Sequence, residues 1–314
     1  MRKHTLLTIL VFLVPFFGFS QSGDYSLDYG LKLGASNYLG DMGGYSQAER
    51  PWVLDMKMQE TRWSLGAYIR YRLPNSYYTN SPFAIEAQFN WIRIAGADTL
   101  TTNYDPRKLR RLNFRNDIIE LNVMADWIFF ENNDIGKKHF HTKAINFYVC
   151  GGAAIFYQNP HAYNPTGQFG LPAWVSLHGL RTEEQLYSST YHLIQPGIPL
   201  GVGFNYTYKR KYRFGWSFTW TKTFTDYLDG VSGYYPTQAQ WNTLTPEEKY
   251  FSNRIQGYGN SDPAPGGLRG NLGGDDSFLT TTINFGYVIR YPKHRHNRST
   301  GGFFGGGRRQ RSKF

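Results

Sequence analysis

Two pairs of histidines have the spacing that a metal site on a β-strand would need. They are His139 with His141 and His294 with His296, and one residue separates the members of each pair. On a strand, both side chains of such a pair would point to the same face. Protein metal sites combine histidines with cysteine or carboxylate ligands, and neither pair has such a cluster near it in sequence. We interpret these histidines as solvated residues of turn and tail, and we predict neither a metal ion nor a cofactor.

A second candidate for chemistry is a pair of carboxylates on a long loop. Asp226 and Asp229 follow a run of alternating aromatic residues, and His161, His178 and His192 on the preceding loop are candidate bases. A hydrolase or acyltransferase would also need a positioned nucleophile beside its base, and no spacing singles one out. We interpret the two aspartates as loop caps and predict no catalytic residue. An enzyme that acts on lipid or peptide at the rim of a barrel is the alternative.

The elements that must position these loops have a clear period of two. Every second residue of the stretch YRFGWSFTW is aromatic, which indicates a β-strand with one apolar and one polar face. The same alternation recurs along the chain and predicts eight strands. They lie at residues 27–35, 62–73, 83–91, 119–129, 145–157, 198–208, 212–224 and 281–291. Strands of about ten residues suit a tilted crossing of a membrane.

The connections between these strands alternate in length. Those after the first, third, fifth and seventh strands are long, and those after the second, fourth and sixth are shorter, as in outer-membrane barrels. The polar face is rich in Gly, Ala, Ser and Thr, which fits a narrow interior, so the aromatic face is predicted to meet lipid. The predicted fold is all-β, one eight-stranded antiparallel transmembrane β-barrel with long extracellular loops and short periplasmic turns. A soluble lipocalin-like barrel is the alternative.

The two ends of the chain differ from this pattern. Arg2 and Lys3 precede an apolar run at residues 6–19, and Gly18 and Ser20 suit a cleavage site. The run is short for a membrane-anchoring helix, so we predict an exported protein of the outer membrane that is cleaved near Ser20. The predicted organisation is a signal peptide at 1–20, a barrel at 21–291 and a basic, Gly-rich periplasmic tail at 292–314.

Charged residues on the polar strand faces are predicted to meet inside the barrel near its periplasmic end. An unpaired charge in a narrow interior costs several kcal/mol, so these acids and arginines are expected to pair. The predicted lumen network consists of Asp28, Arg70, Arg72, Glu86, Asp126, Arg213 and Arg290.

Four segments of the chain resemble a known family. They are LKLGASNYLGDMGG at 31–44, IPLGVGFNYTYKRKYRFGWSF at 198–218, TKTFTDYLDGVSGYY at 221–235 and LRGNLGGDDSFLTTTINFGYVIRY at 268–291. Together they are similar to the PorG-like family, outer-membrane barrels of the type IX secretion apparatus of the Bacteroidetes. The segments come from both ends of the predicted barrel, whereas the tail after Tyr291 has no counterpart in the family pattern.

The resemblance implies a non-enzymatic component of a secretion apparatus. Such a protein anchors or docks a periplasmic ring, made of a lipoprotein and its partner subunit, at the outer membrane. The positions that match the family motif are expected to shape loops rather than to bind a ligand. They are Gly34, Gly40, Asp41, Thr225, Asp226, Tyr227, Asp229, Arg269 and Gly270.

The predicted periplasmic face of the chain is strongly basic, and the whole chain has a formal net charge of +11. Opposite charge speeds protein association, so we expect this face to dock the ring subunits, although the tail could instead attract lipid headgroups. We expect neither nucleic acid nor a small-molecule substrate. A solute channel ranks last, since side chains fill an eight-stranded barrel. The predicted docking residues are Lys209, Arg210, Lys211, Arg308, Arg309 and Arg311.

Overall fold

The computed structural model describes residues 26–40, 42, 58–73, 81–100, 110–132, 143–165, 167–187, 190–254, 266–270 and 274–290. Several predictions of the sequence analysis lie outside these residues. They concern the signal peptide at 1–20, the tail at 292–314 with Arg308, Arg309 and Arg311, the residue Asp41, and the four histidines of the i, i+2 pairs. The side chain of Arg290 also lies outside the described part.

The described residues form a closed antiparallel barrel. The strands are β1 (Ser26–Leu39), β2 (Arg62–Arg72), β3 (Phe83–Ala97), β4 (Asn113–Asn132), β5 (Lys143–Tyr157), β6 (Pro160–Tyr163), β7 (Trp174–Ser176), β8 (Ile194–Tyr208), β9 (Tyr212–Thr223) and β10 (Ser277–Arg290). Strands β1–β5 and β8–β10 pair in sequence order, and β10 pairs with β1 to close the ring. The prediction of an eight-stranded antiparallel barrel is confirmed.

The two faces of the strands have opposite chemistry. Outward side chains are large, apolar and exposed, as at Leu31, Leu121, Phe214 and Ile283, whereas inward polar side chains such as Asn205 are buried. Neighbouring outward aromatics contact one another across strands, and the ring centroids of Phe214 and Phe285 lie 5.1 Å apart. A water-soluble barrel would have the reverse arrangement. The inward and outward assignments made from the period of two are therefore correct.

The interior of the barrel has two zones. Inward residues at the short-turn end are charged, whereas those at the long-loop end are apolar and pack with two residues of the β9–β10 loop. We call this apolar cluster the plug, and its members are Tyr38, Met42, Ile92, Ile94, Leu112, Phe114, Ile118, Phe156, Leu228, Val231 and Phe278. Leu228 and Val231 are completely buried, so the loop after β9 enters the mouth of the barrel and fills it.

The long loops contain structure that the sequence analysis did not predict. Strands β6 and β7 form a hairpin that extends β4 beyond the barrel. Two short helices follow β9, namely α1 (Gln238–Trp241) and α2 (Pro246–Ser252), and each begins with a threonine capping box. Phe251 of α2 packs against Ala162 and Leu177 of the hairpin region. None of the helices in the described residues is long and apolar enough to span a membrane.

Candidate functional site

Most of the family-motif positions lie together in the folded loops at one end of the barrel. We call the folded loops after β5 and β9 the cap, which comprises the described residues of 158–187 and 224–276. Thr225, Tyr227, Asp229, Arg269 and Gly270 lie in the cap. Gly34 is an exception, because it lies in β1 against the backbone of β10, where a Cβ atom would clash with the Thr281 carbonyl. Asp41 lies outside the described residues.

A buried ion pair holds the cap together. The Arg269 guanidinium lies 2.5 Å from the Glu183 carboxylate, and the two side chains are 1% and 0% exposed. Arg269 also donates to the Gly230 carbonyl at 3.1 Å and the Ser252 carbonyl at 3.3 Å. The Glu183 carboxylate accepts from the Ser232 amide at 2.9 Å. The pair therefore joins loop segments that are otherwise linked by a small set of backbone hydrogen bonds, such as the one from the Glu184 amide to the Tyr234 carbonyl. Glu183 was not predicted, because its loop has no periodicity that could have indicated burial.

A second cluster of polar contacts ties the cap to the barrel. The Tyr38 hydroxyl of β1 lies 2.8 Å from an Asp229 oxygen and 2.6 Å from an Asp276 oxygen. The other Asp229 oxygen accepts from the Val231 amide at 2.8 Å, which is the loop-capping role expected from the sequence. Gly40 lies against this cluster, and a Cβ atom there would clash with the Tyr38 hydroxyl and the Asp276 carboxylate. The glycine at position 40 is therefore required by close packing.

Tyr227 contacts the Arg269–Glu183 ion pair through Glu183. Its ring stacks on Tyr191 with centroids 4.7 Å apart and an interplanar angle of 10°, and its hydroxyl donates to Glu183 at 3.2 Å. Burial and the nearby Glu183 carboxylate raise the pKa of the Tyr227 hydroxyl to about 12. Tyr227 therefore stays neutral near pH 7 and acts as a hydrogen-bond donor to Glu183.

The loop after β3 joins the cap through Arg110. Its guanidinium donates to both Asp98 oxygens, at 2.7 and 2.8 Å, and also to the Arg269 carbonyl. Burial lowers the pKa of the Arg110 guanidinium, but the Asp98 carboxylate outweighs that effect and the net shift is upward. Arg110 is therefore a permanent cation that links a third loop to the cap.

The predicted lumen residues with described side chains lie inside the barrel, in three groups. Arg70 contacts Asp126 at 2.8 Å and Glu86 at 3.2 Å. Arg213 contacts Asp28 at 2.6 Å, and Arg72 contacts Glu131, which the sequence analysis missed, at 2.7 Å. Lys32 was also missed and lies 3.4 Å from Glu86. Its place on the polar face of β1 could have indicated it from the sequence.

Glu131 was missed for a physical reason. A register shift, typical of a β-bulge, interrupts the pairing of β4 with β5 between Ile128 and Phe130. Phe129 and Phe130 are both exposed, so the alternation skips one residue there and Glu131 turns inward. Strict alternation in the sequence places Glu131 on the lipid-facing side and cannot predict this contact.

The basic turn between β8 and β9 lies at the opposite end from the cap. Lys209 and Arg210 both adopt positive φ angles, 50° and 57°, and the Lys211 amide donates to the Tyr208 carbonyl at 3.1 Å. The Lys209 and Lys211 side chains are exposed and Arg210 is half-buried. Tight turns with positive φ at both central residues normally contain Asn and Gly. Two cationic residues therefore occupy positions where the backbone disfavours them.

The three histidines that were candidate bases lie in different surroundings. His161 contacts the Asn159 carbonyl at 2.8 Å, His178 packs edge-on against the Tyr191 ring, and His192 is exposed. Asp229 is instead hydrogen-bonded to the Tyr38 hydroxyl and the Val231 amide. Within the described ranges, no three His, Cys, Asp or Glu side chains are grouped to hold a metal ion.

Comparisons with known proteins gave matches to solved structures at low identity. No family model and no curated relative matches the sequence. Among solved structures, Ail of Yersinia pestis is 8% identical with a TM-score of 0.35, over 86% of this chain and 100% of that chain. The N-terminal β-barrel domain of Pseudomonas aeruginosa OprF is 9% identical with a TM-score of 0.32, over 86% and 100%. Neisserial surface protein A is 7% identical with a TM-score of 0.30, over 84% and 97%.

Proposed function

We propose that this chain is an exported outer-membrane β-barrel, processed near Ser20, whose outward face lies in lipid. The support is the exposed apolar band on all eight barrel strands, with Leu31 58% exposed, Leu121 56% and Ile283 68%. A soluble monomer rarely exposes a contiguous apolar surface larger than a few hundred Å². In this orientation the long loops and the cap are extracellular, and the short turns face the periplasm.

We further propose that the protein anchors a periplasmic ring of a type IX-like secretion apparatus at the outer membrane, without enzymatic activity. The resemblance to the PorG-like family suggests this role. The observation that carries it is the turn in which Lys209 and Arg210 are both held at positive φ. Each such residue costs about 1–2 kcal/mol relative to a relaxed backbone. Local strain of this kind clusters at functional sites, so we assign the exposed basic turn to partner docking.

The interior of the barrel favours an anchor over a channel. The plug fills the extracellular half of the lumen, and the Arg70 group occupies the periplasmic half. We do not propose a rim enzyme, because Tyr227 and Asp229 are engaged in holding the cap. Because the lumen is filled, a partner would contact the outside of the protein.

The proposal is tested by co-purification from detergent-solubilised membranes. The first variant carries Lys209→Glu, Arg210→Glu and Lys211→Glu, and the second is a chain that ends at Tyr291. The matched control is Lys222→Glu, a charge reversal near the extracellular end of β9. We expect the first variant to lose the ring subunits and export of their cargo, and we expect the control to keep both. Loss in the truncated chain would add the tail to the docking surface.

The proposal is overturned if both the turn variant and the truncated chain retain the ring subunits at full strength. If the truncated chain loses only its affinity for anionic vesicles, the tail binds headgroups and docking is assigned to the turn alone.

A further inference from the structure

The outward face of β2–β5 contains an apolar groove of about 670 Å³. Its floor is formed by Ala67, Ala87 and Ala153, and larger side chains such as Phe89, Leu121 and Ile155 form its walls. Three small residues surrounded by large ones leave a depression in an otherwise continuous apolar surface. The volume lies within the range of about 300–1,000 Å³ that is typical of ligand sites.

The groove leads towards the cap along paired outward residues. Phe89 pairs with Leu121, and four residues further along β3, Arg93 pairs with Asp117. At about 3.4 Å per residue, Arg93 lies roughly 14 Å along the strand from Phe89 in the groove wall. The surface therefore changes from apolar to charged over a distance comparable to half of a bilayer's hydrocarbon core.

Two arginines define the charged end. Arg93 forms a two-point contact with Asp117, at 2.6 and 2.9 Å, and lies 5.0 Å from the Trp63 ring centroid. Arg115 lies 4.4 Å above the Trp174 ring, and its guanidinium makes no hydrogen bond or salt bridge to any residue that the structure describes. Two guanidiniums face one carboxylate, so this rim has an excess positive charge, and the donors of Arg115 are available.

We propose that this face binds one acylated lipid with a phosphate headgroup, whose acyl chain lies in the alanine-floored groove and whose phosphate contacts Arg115 and Arg93. An arginine fork matches the geometry of phosphate oxygens, and the tryptophan rings suit the interfacial level of a membrane. A second copy of the chain is disfavoured as the occupant, since pairing this face with itself would bring two cationic rims together. The inference rests on the proposed insertion into the outer membrane but not on the proposed role in secretion.

The test uses the full chain purified in detergent micelles, with bound lipid counted by native mass spectrometry. The probes are diphosphoryl lipid A and its dephosphorylated form. Arg115→Gln removes the available cation, and Ala87→Phe fills the groove. Matched controls on the far side of the barrel are Lys222→Gln at the extracellular end of β9 and Ile283→Phe on the outward face of β10.

We expect wild type to retain the phosphorylated lipid in preference to the dephosphorylated one. Arg115→Gln should weaken binding of the phosphorylated form about five-fold, the contribution typical of one arginine at an anionic surface, without changing binding of the other form. Ala87→Phe should weaken both, and the two controls should resemble wild type.

The inference is overturned if both lipids bind equally to wild type, if neither variant differs from its control, or if the chain dimerises through this face without lipid. Its failure is distinguishable from failure of the secretion role. The groove variants should still recover the ring subunits, and the turn variant should still bind the lipid.

Discussion

The charged end of the lumen and the cap use the same chemistry in two different ways. Each contains a buried arginine paired with a carboxylate, Arg70 with Asp126 in the lumen and Arg269 with Glu183 in the cap. In the lumen, strands that are already hydrogen-bonded to their neighbours supply the partners. In the cap, Glu183 and Arg269 come from loop segments outside any strand, joined by scattered backbone hydrogen bonds such as those from the Arg269 and Gly270 amides to the Gly233 carbonyl. In the lumen, a buried ion pair thus adds to a structure that backbone hydrogen bonds already hold. In the cap, the buried ion pair is a main source of stability.

The two regions also differ in redundancy. Arg70 contacts two carboxylates, Asp126 and Glu86, so it keeps a partner when one is removed. Arg269 contacts one carboxylate and several backbone carbonyls, and those carbonyls stay in place only while the cap is folded. We therefore expect the cap to be the more sensitive region.

The largest effect is expected from Arg269→Ala. It leaves the Glu183 carboxylate buried without its cation, which typically costs about 3–5 kcal/mol, and the cap should open while the barrel stays closed. Hydrogen exchange of residues 225–254 should lose protection, and the shift in gel mobility between boiled and unboiled protein should persist. The control is Arg181→Ala, which removes a pair that is 38% exposed on the arginine side and should cost less than about 1 kcal/mol. Unchanged protection in Arg269→Ala would contradict the comparison.

A smaller effect is expected from Glu86→Ala in the lumen. Lys32 loses its carboxylate, whereas Arg70 keeps Asp126, so the cost should be about 2 kcal/mol. The measurement is the urea midpoint of the detergent-solubilised barrel. A loss as large as that of Arg269→Ala would show that the lumen is no more redundant than the cap, and no loss would show that the network does not contribute to stability.

A gain of stability is expected from Lys209→Asn combined with Arg210→Gly. Both residues favour positive φ, which relieves about 1–2 kcal/mol at each position, and the new glycine costs about 1 kcal/mol of unfolded-chain entropy. The β8–β9 hairpin should therefore become about 1–3 kcal/mol more stable. The same urea midpoint should rise, while recovery of the ring subunits should fall. The conservative control is Lys211→Gln, which changes charge without changing a positive-φ position. If the midpoint does not rise, the turn is not strained and its assignment to docking loses its support.

The smallest expected effect is a dependence of the stability of the cap on pH. Burial raises the pKa of the Glu248 carboxyl, but hydrogen bonds from Arg181 and from backbone amides outweigh it and lower the pKa from 4.5 to about 2. A lowered folded-state pKa contributes stability above about pH 4.5, and this contribution is lost as the pH falls towards 2. Cleavage near α2 by an acid-active protease should therefore increase between these values, and Glu248→Gln should abolish the pH dependence. The same pH dependence in both proteins would assign the effect to another group.

Prediction from sequence succeeded where structure is local and periodic. Alternation at residues 212–220 predicted a strand with Phe214 outward and Arg213 inward, and the structure has both. The same argument assigned Asp28, Arg70 and Glu86 to the interior. It failed at Glu131, because one bulge reverses the alternation, and periodicity contains no information about where a bulge occurs.

The sequence by itself determined the barrel, its strand order and, apart from the bulge in β4, the outward side of each barrel strand, since a period of two acts on each strand independently. Only the tertiary structure decided that Arg269 meets Glu183, that Tyr38 meets Asp229, and that Leu228 fills the barrel mouth. These contacts join residues that lie far apart in the chain and belong to loops without a repeating pattern. These contacts form only after the strands have brought the loop ends together, because each loop packs against the other loops.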